Sequence, residues 1–102
     1  MGKVKQPRVA PFDASDYLDS DEAIAEYLKA ALENKDPDAF LVAVRDVAKA
    51  QGISRVAESA GLGRESLYKA LKPGAQPRFD TVRRLISALG VKLDVVPPQS
   101  QV

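Results

Sequence analysis

Four side chains between residues 64 and 69 could do chemistry as a group. If the run RESLYKAL is helical, Arg64 and Glu65 lie on its first turn, and Tyr68 and Lys69 follow one turn later on the same face. The guanidinium fork of Arg64 matches the two acceptors on the major-groove edge of guanine, and the carboxylate of Glu65 can accept from the cytosine amino group. Glu65 could equally form a local ion pair that orients Arg64 or Lys69. Tyr68 suits a thymine methyl or a phosphate. Leu67, Ala70 and Leu71 take the opposite, buried face, which leaves a polar and mostly basic surface on a short helix. A major groove accepts a helix of that size.

Such a helix reads bases only if a second helix holds it at a fixed angle. The segment 53–72, ISRVAESAGLGRESLYKALK, supplies one, with Ala57, then Gly61 four residues on, then Leu67 six further. Ala57 is small where two helices must approach closely. Gly61 can adopt the positive φ of a sharp turn. Leu62 and Leu67 fill the space between the helices, and Ser54 is the expected cap of the first. This is the pattern of a DNA-reading helix-turn-helix. Ser54, Arg55, Ser66, Lys72 and Arg78 are better placed for phosphates, which set register rather than sequence. Arg83 and Arg84 read as a solvated face.

The rest of the chain reads as all-α, with five helices and one short C-terminal β-strand. Residues 1–11 form a flexible arm, residues 12–96 a single domain and residues 97–102 a tail. The lead-in FDASDYLDS is expected to dock in extended form. A first helix starts at Asp19 or Ser20, buries Ile24, Tyr27, Leu28, Ala31 and Leu32, and ends at Asn34-Lys35. A second starts with Asp36 as cap and Pro37 as first helical residue, and stops at Gly52. The third and fourth span about 54–60 and 64–71, and the fifth about 79–89. After it, VKLDVV alternates like a strand before Pro97-Pro98. A lone strand leaves its ladder groups unpaired. Val91, Leu93 and Val95 are therefore candidates for pairing with a second copy; the other reading packs the segment on its own domain.

The 102 residues contain no cysteine and no histidine, which removes disulfides, Ser–His and Cys–His nucleophile pairs and the usual zinc sites. Ser66 and Lys69 fit an S-x-x-K pattern, but the accompanying S-D-N and K-T-G elements are missing. Tyr68 and Lys72 share the Y-x-x-x-K spacing of short-chain dehydrogenases, and Gly61-Leu62-Gly63 begins a nucleotide-loop pattern that Ser66 breaks. The chain is thus read as a non-enzyme with no cofactor and no metal. No apolar run is long enough for a membrane span and the N-terminus lacks a signal-peptide core, so the expected location is the cytoplasm.

The net charge of +1 conceals a strong asymmetry. Residues 1–10 carry three basic groups and no acidic ones. Residues 11–50 carry ten acidic and four basic groups, and residues 51–92 carry eight basic and three acidic. The basic block coincides with the helix-turn-helix and favours a polyanion through phosphate contacts and counterion release. The acidic block points away from that polyanion, either as a solvated face or toward a basic partner.

On the helix-turn-helix and its flanking helices the chain resembles the lambda-repressor-like, Xre/Cro-type domains. Across residues 11–96 it further resembles one subgroup, the addiction-module antidote proteins (HigA-like antitoxins). The resemblance is carried by PFDASDYLDS leading into AIAEYLKAAL, by DPDAF, by GISRVAESAGLGRESLYKAL and by FDTVRRLISALGVKL. Gly63 departs from it, since many relatives place a capping serine there. The resemblance implies an antitoxin that silences a small basic RelE/ParE-like toxin encoded by the adjacent gene and represses their shared promoter. One helix-turn-helix domain reads only a few base pairs of double-stranded DNA, so a homodimer on a palindromic operator is expected. Within residues 11–35, Phe12, Tyr17 and Leu18 are the candidates for toxin contact. A stand-alone phage-type repressor without a toxin is the alternative, followed by an interaction module that has lost DNA binding.

Overall fold

The structure is a computed structural model that describes residues 18–98. Five helices follow one another: α1 (Asp21–Leu32), α2 (Asp38–Gln51), α3 (Ile53–Ala60), α4 (Arg64–Leu71) and α5 (Phe79–Ala88). The architecture among the described residues is all-α.

Local chemistry sets the first two starts. The Ser20 hydroxyl accepts from the Ala23 N–H at 3.1 Å, and Asp21 and Glu22 occupy the positive end of α1. At α2 the carboxylate of Asp36 accepts from the Asp38 N–H at 3.0 Å, so Asp36 supplies the capping oxygen and Pro37 (φ −62°) lies between cap and helix. Gly52, at φ +105°, ends α2 and opens α3 in a single residue. No side chain caps α3. Ser54, expected as that cap, is instead the second residue of the helix, because Gly52 leaves no room for a longer connection.

One face of every helix meets at a common core. Val47, Val56, Leu67, Leu71, Leu85 and Leu89 are the centre of it, each buried almost completely. α1 packs against α2, α3 against α5, and α2 touches both α3 and α4. Leu18 is buried with them at 6% exposure and ties the lead-in to the helices. Leu32, expected on the inward stripe of α1, is 58% exposed because the helix ends there and runs past the core.

The expected C-terminal strand does not form. Residues 91–98 contain no strand, and among the described residues there is no second strand to complete a ladder. Val91 is half-buried against the core, whereas Leu93, Val95 and Val96 are exposed. Packing on the chain's own domain therefore accounts for Val91 alone.

A polar bond crosses the α1–α2 seam, where the Tyr27 hydroxyl donates to Asp46 Oδ2 at 2.8 Å. Burial first, then that hydrogen bond and the Asp46 charge, push the Tyr27 phenol up to about 12. A folded-state value above the ordinary 10.0 means the contribution to stability is complete below about pH 10 and is lost as pH rises toward about 12. Tyr27→Phe should lower stability at neutral pH by about 1 kcal/mol, the net worth of one such bond. Urea unfolding of both proteins at several pH values checks the sign, since the gap between them should close between about pH 10 and 12.

Candidate nucleic-acid interface

The turn between α3 and α4 is built from backbone geometry. Gly61 takes φ +73°, ψ 31°, the left-handed conformation that side chains disfavour. Its N–H donates to the Glu58 carbonyl at 3.1 Å, and the Leu62 N–H donates to the Ala57 carbonyl at 2.8 Å. That pair of bonds is a Schellman motif, which satisfies the end of α3 and turns the chain within two residues. Leu62 then packs against the core, Ala57 is 2% exposed, and Leu67 is fully buried under the turn.

A second device holds the same corner from outside. Arg84 on α5 donates through Nη1 to the Ala60 carbonyl at 3.0 Å, and its Nε pairs with Asp80 Oδ2 at 3.2 Å. A Cβ placed on Gly61 would lie 3.0 Å from that same Nη1. Arg84 is exposed, as expected, with its side chain 46% accessible, and it also braces the turn. Arg83 stays outside as well, 3.7 Å from Asp80 with both side chains well exposed. The Asp80–Arg84 spacing of four on one helix was the available signal for the ion pair; nothing in the sequence pointed to Ala60. A parallel brace lies nearby. The Gln51 amide donates to the Leu89 carbonyl at 2.8 Å, and Arg55 Nη2 donates to Gln51 Oε1.

On α4 only Leu67 and Leu71 are buried. Arg64, Glu65, Tyr68 and Lys69 are all exposed on one short helix, with Tyr68 at 41%. Gly63 opens that helix in an extended conformation without a side-chain cap. Ser54, Arg55, Ser66, Lys72 and Arg78 are exposed as well, on α3, on α4 and on the segment that leads into α5. The structure thus brings the nine expected contact residues to the surface of the α3–α5 half. Glu65 makes no ion pair with Arg64 or Lys69. Of the three candidate toxin contacts, Phe12 and Tyr17 lie outside the described residues, and Leu18 is a core residue. Of the dimerisation candidates, Leu93 and Val95 are exposed and Val91 is half-buried.

Comparison with known proteins gives this arrangement its class. A family described as "Probable addiction module antidote protein" matches residues 8–97. A protein of Haemophilus influenzae described as uncharacterized is 38% identical over 84 residues, covering 82% of this chain and 87% of its own length. No solved structure matches. The chain belongs to the addiction-module antidote family, whose members act as antitoxins, and the family implies a toxin as partner. No helix among the described residues is long and apolar enough to cross a membrane.

Gly61→Ala should destabilise the chain by roughly 1–2 kcal/mol through the left-handed conformation, and further where the new methyl presses on Arg84. Gly63→Ser, at a position with open space and an extended backbone, should be neutral or stabilising by a few tenths of a kcal/mol. Arg84→Met, which keeps the apolar stem and loses the donor, should cost about 1 kcal/mol. For a chain of this size that corresponds to a melting temperature lower by about 4–8 °C. Thermal unfolding followed by circular dichroism checks all three.

Proposed function

We propose that this antidote is also a sequence-specific DNA-binding protein that represses the operon encoding it and neutralises a RelE/ParE-like toxin in the cytoplasm. The observation that carries the DNA-binding part is the exposed polar face of α4, presented beyond a braced turn of a helix-turn-helix. In this reading α3 crosses the phosphate backbone and α4 enters the major groove, as in lambda-repressor-like, Xre/Cro-type domains. Arg64 and Glu65 read bases from the first turn of α4, and Tyr68 and Lys69 read from the second. Ser54, Arg55, Ser66, Lys72 and Arg78 hold phosphates and fix the register. Glu65 is assigned here to a base edge; the absence of an ion pair to Arg64 or Lys69 in the free chain leaves its carboxylate available for that.

One such unit covers a few base pairs, so a palindromic operator calls for two copies with half-sites about 34 Å apart. Leu93 and Val95, exposed on the C-terminal segment, are the proposed contacts with a second copy. The acidic surface of α1 and α2 would be repelled by the duplex and is left to the toxin.

Binding to the promoter fragment upstream of its gene tests this reading. Arg64→Ala should cost roughly 1–3 kcal/mol on that fragment and much less on random DNA. Affinity should also fall with salt at a log–log slope near −0.9 per neutralised phosphate. Equal losses on both DNAs would reassign Arg64 to phosphate, and a flat salt response would contradict DNA binding altogether.

A further inference from the structure

Between α1 and α2 runs an open groove of about 550 Å³ that the DNA-reading surface does not use. Small side chains form much of its wall, with Ala30 and Ala31 on α1 and Ala39 and Ala43 on α2. Its charged lining consists of Asp36 and Asp38, with no basic side chain. We propose that this groove is the docking surface for the toxin, and that it takes a helix of that partner with an apolar face and basic flanks. The proposal rests on the toxin partner that the antidote family implies, and adds where and by what chemistry the partner is held.

Three observations favour this occupant. Alanines along both walls let a partner backbone come close, which is the geometry of a helix laid in a groove. Asp36 and Asp38 are the charged side chains of the lining, and a lysine or arginine flank of the partner would meet them there. Both are also held in place. Asp36 Oδ1 accepts from the Asp38 N–H, and Asp38 Oδ1 accepts from the Gly74 N–H at 3.0 Å, so neither must be ordered when a cation arrives. A nucleic acid would be repelled by the same pair.

The tests use the full chain and the toxin encoded beside its gene, with affinity measured by titration calorimetry. Ala30→Arg places a long cation on an exposed helical site in the groove and should weaken toxin binding at least tenfold. Ser87→Arg makes the same charge change on α5, outside the groove, and should leave it unchanged. Asp36→Asn combined with Asp38→Asn keeps the side-chain oxygen acceptors and removes the charge. That pair should weaken binding at least about threefold at low salt and flatten its salt dependence.

Wild-type affinity in both groove variants would overturn the groove assignment while leaving the antitoxin intact. A loss shared by Ser87→Arg would overturn it as well. If Ala30→Arg altered self-association and spared toxin affinity, the groove would belong to a second copy of this chain instead. No binding of the toxin by the wild-type chain would remove the partner itself, and the groove proposal with it.

Discussion

The placement of α4 depends on one backbone conformation, the left-handed turn at Gly61. A chain that leaves α3 and starts α4 within three residues has few ways to satisfy the carbonyls at the end of α3. Gly61 and Leu62 do so with two N–H donors, which fixes the direction of the next helix before any side chain contributes. Leu67 then fills the inner side of the corner, and Arg84 closes the outer side on the Ala60 carbonyl. A Cβ at residue 61 would meet conformational strain and the Arg84 guanidinium together, so the position is constrained from two directions. What α4 offers to a partner is set by this corner rather than by α4 alone.

The brace gives α5 a part in the surface although its own exposed residues are not needed there. α5 reaches the end of α3 through Arg84, and the end of α5 is reached from α2 through Gln51. Both links join a side chain to a backbone carbonyl, where small rotations of one helix against another would be felt at once. Arg55 is drawn into the second link, which pre-orders a cation proposed for phosphate. Charge is distributed on the same plan. The acidic groups concentrate on the half formed by α1 and α2 and the basic ones on the half formed by α3 to α5, so one small unit can meet two partners of opposite charge.

Local signals in the sequence located most of this. Ser20 and Asp36 marked two helix starts, Gly52 and Gly61 marked turns, and the spacing of Leu67 and Leu71 separated the inner from the outer face of α4. Those features are governed by neighbours within one turn of chain, where capping and periodicity apply directly. Features set by distant residues were not legible. Arg84 meets a carbonyl 24 residues away and Gln51 one 38 residues away, and neither pairing has a local signature. Ser54 has the residue type of a cap, but Gly52 occupies the capping position and places Ser54 inside the helix. The alternation in VKLDVV is a strand pattern in the right composition, yet a strand exists only with a partner, and the single chain provides none among its described residues. Leu18 sits among aspartates in a segment without periodicity, so its place in the core has no local signature.

The two proposed surfaces are separate, on α4 and between α1 and α2, so on this account DNA and toxin are held at the same time. Sedimentation of the promoter fragment with the wild-type chain and its toxin measures that directly. The account predicts one species containing all three components, formed whichever ligand is added first. Release of the DNA when toxin binds, or the absence of either binary complex, would contradict it.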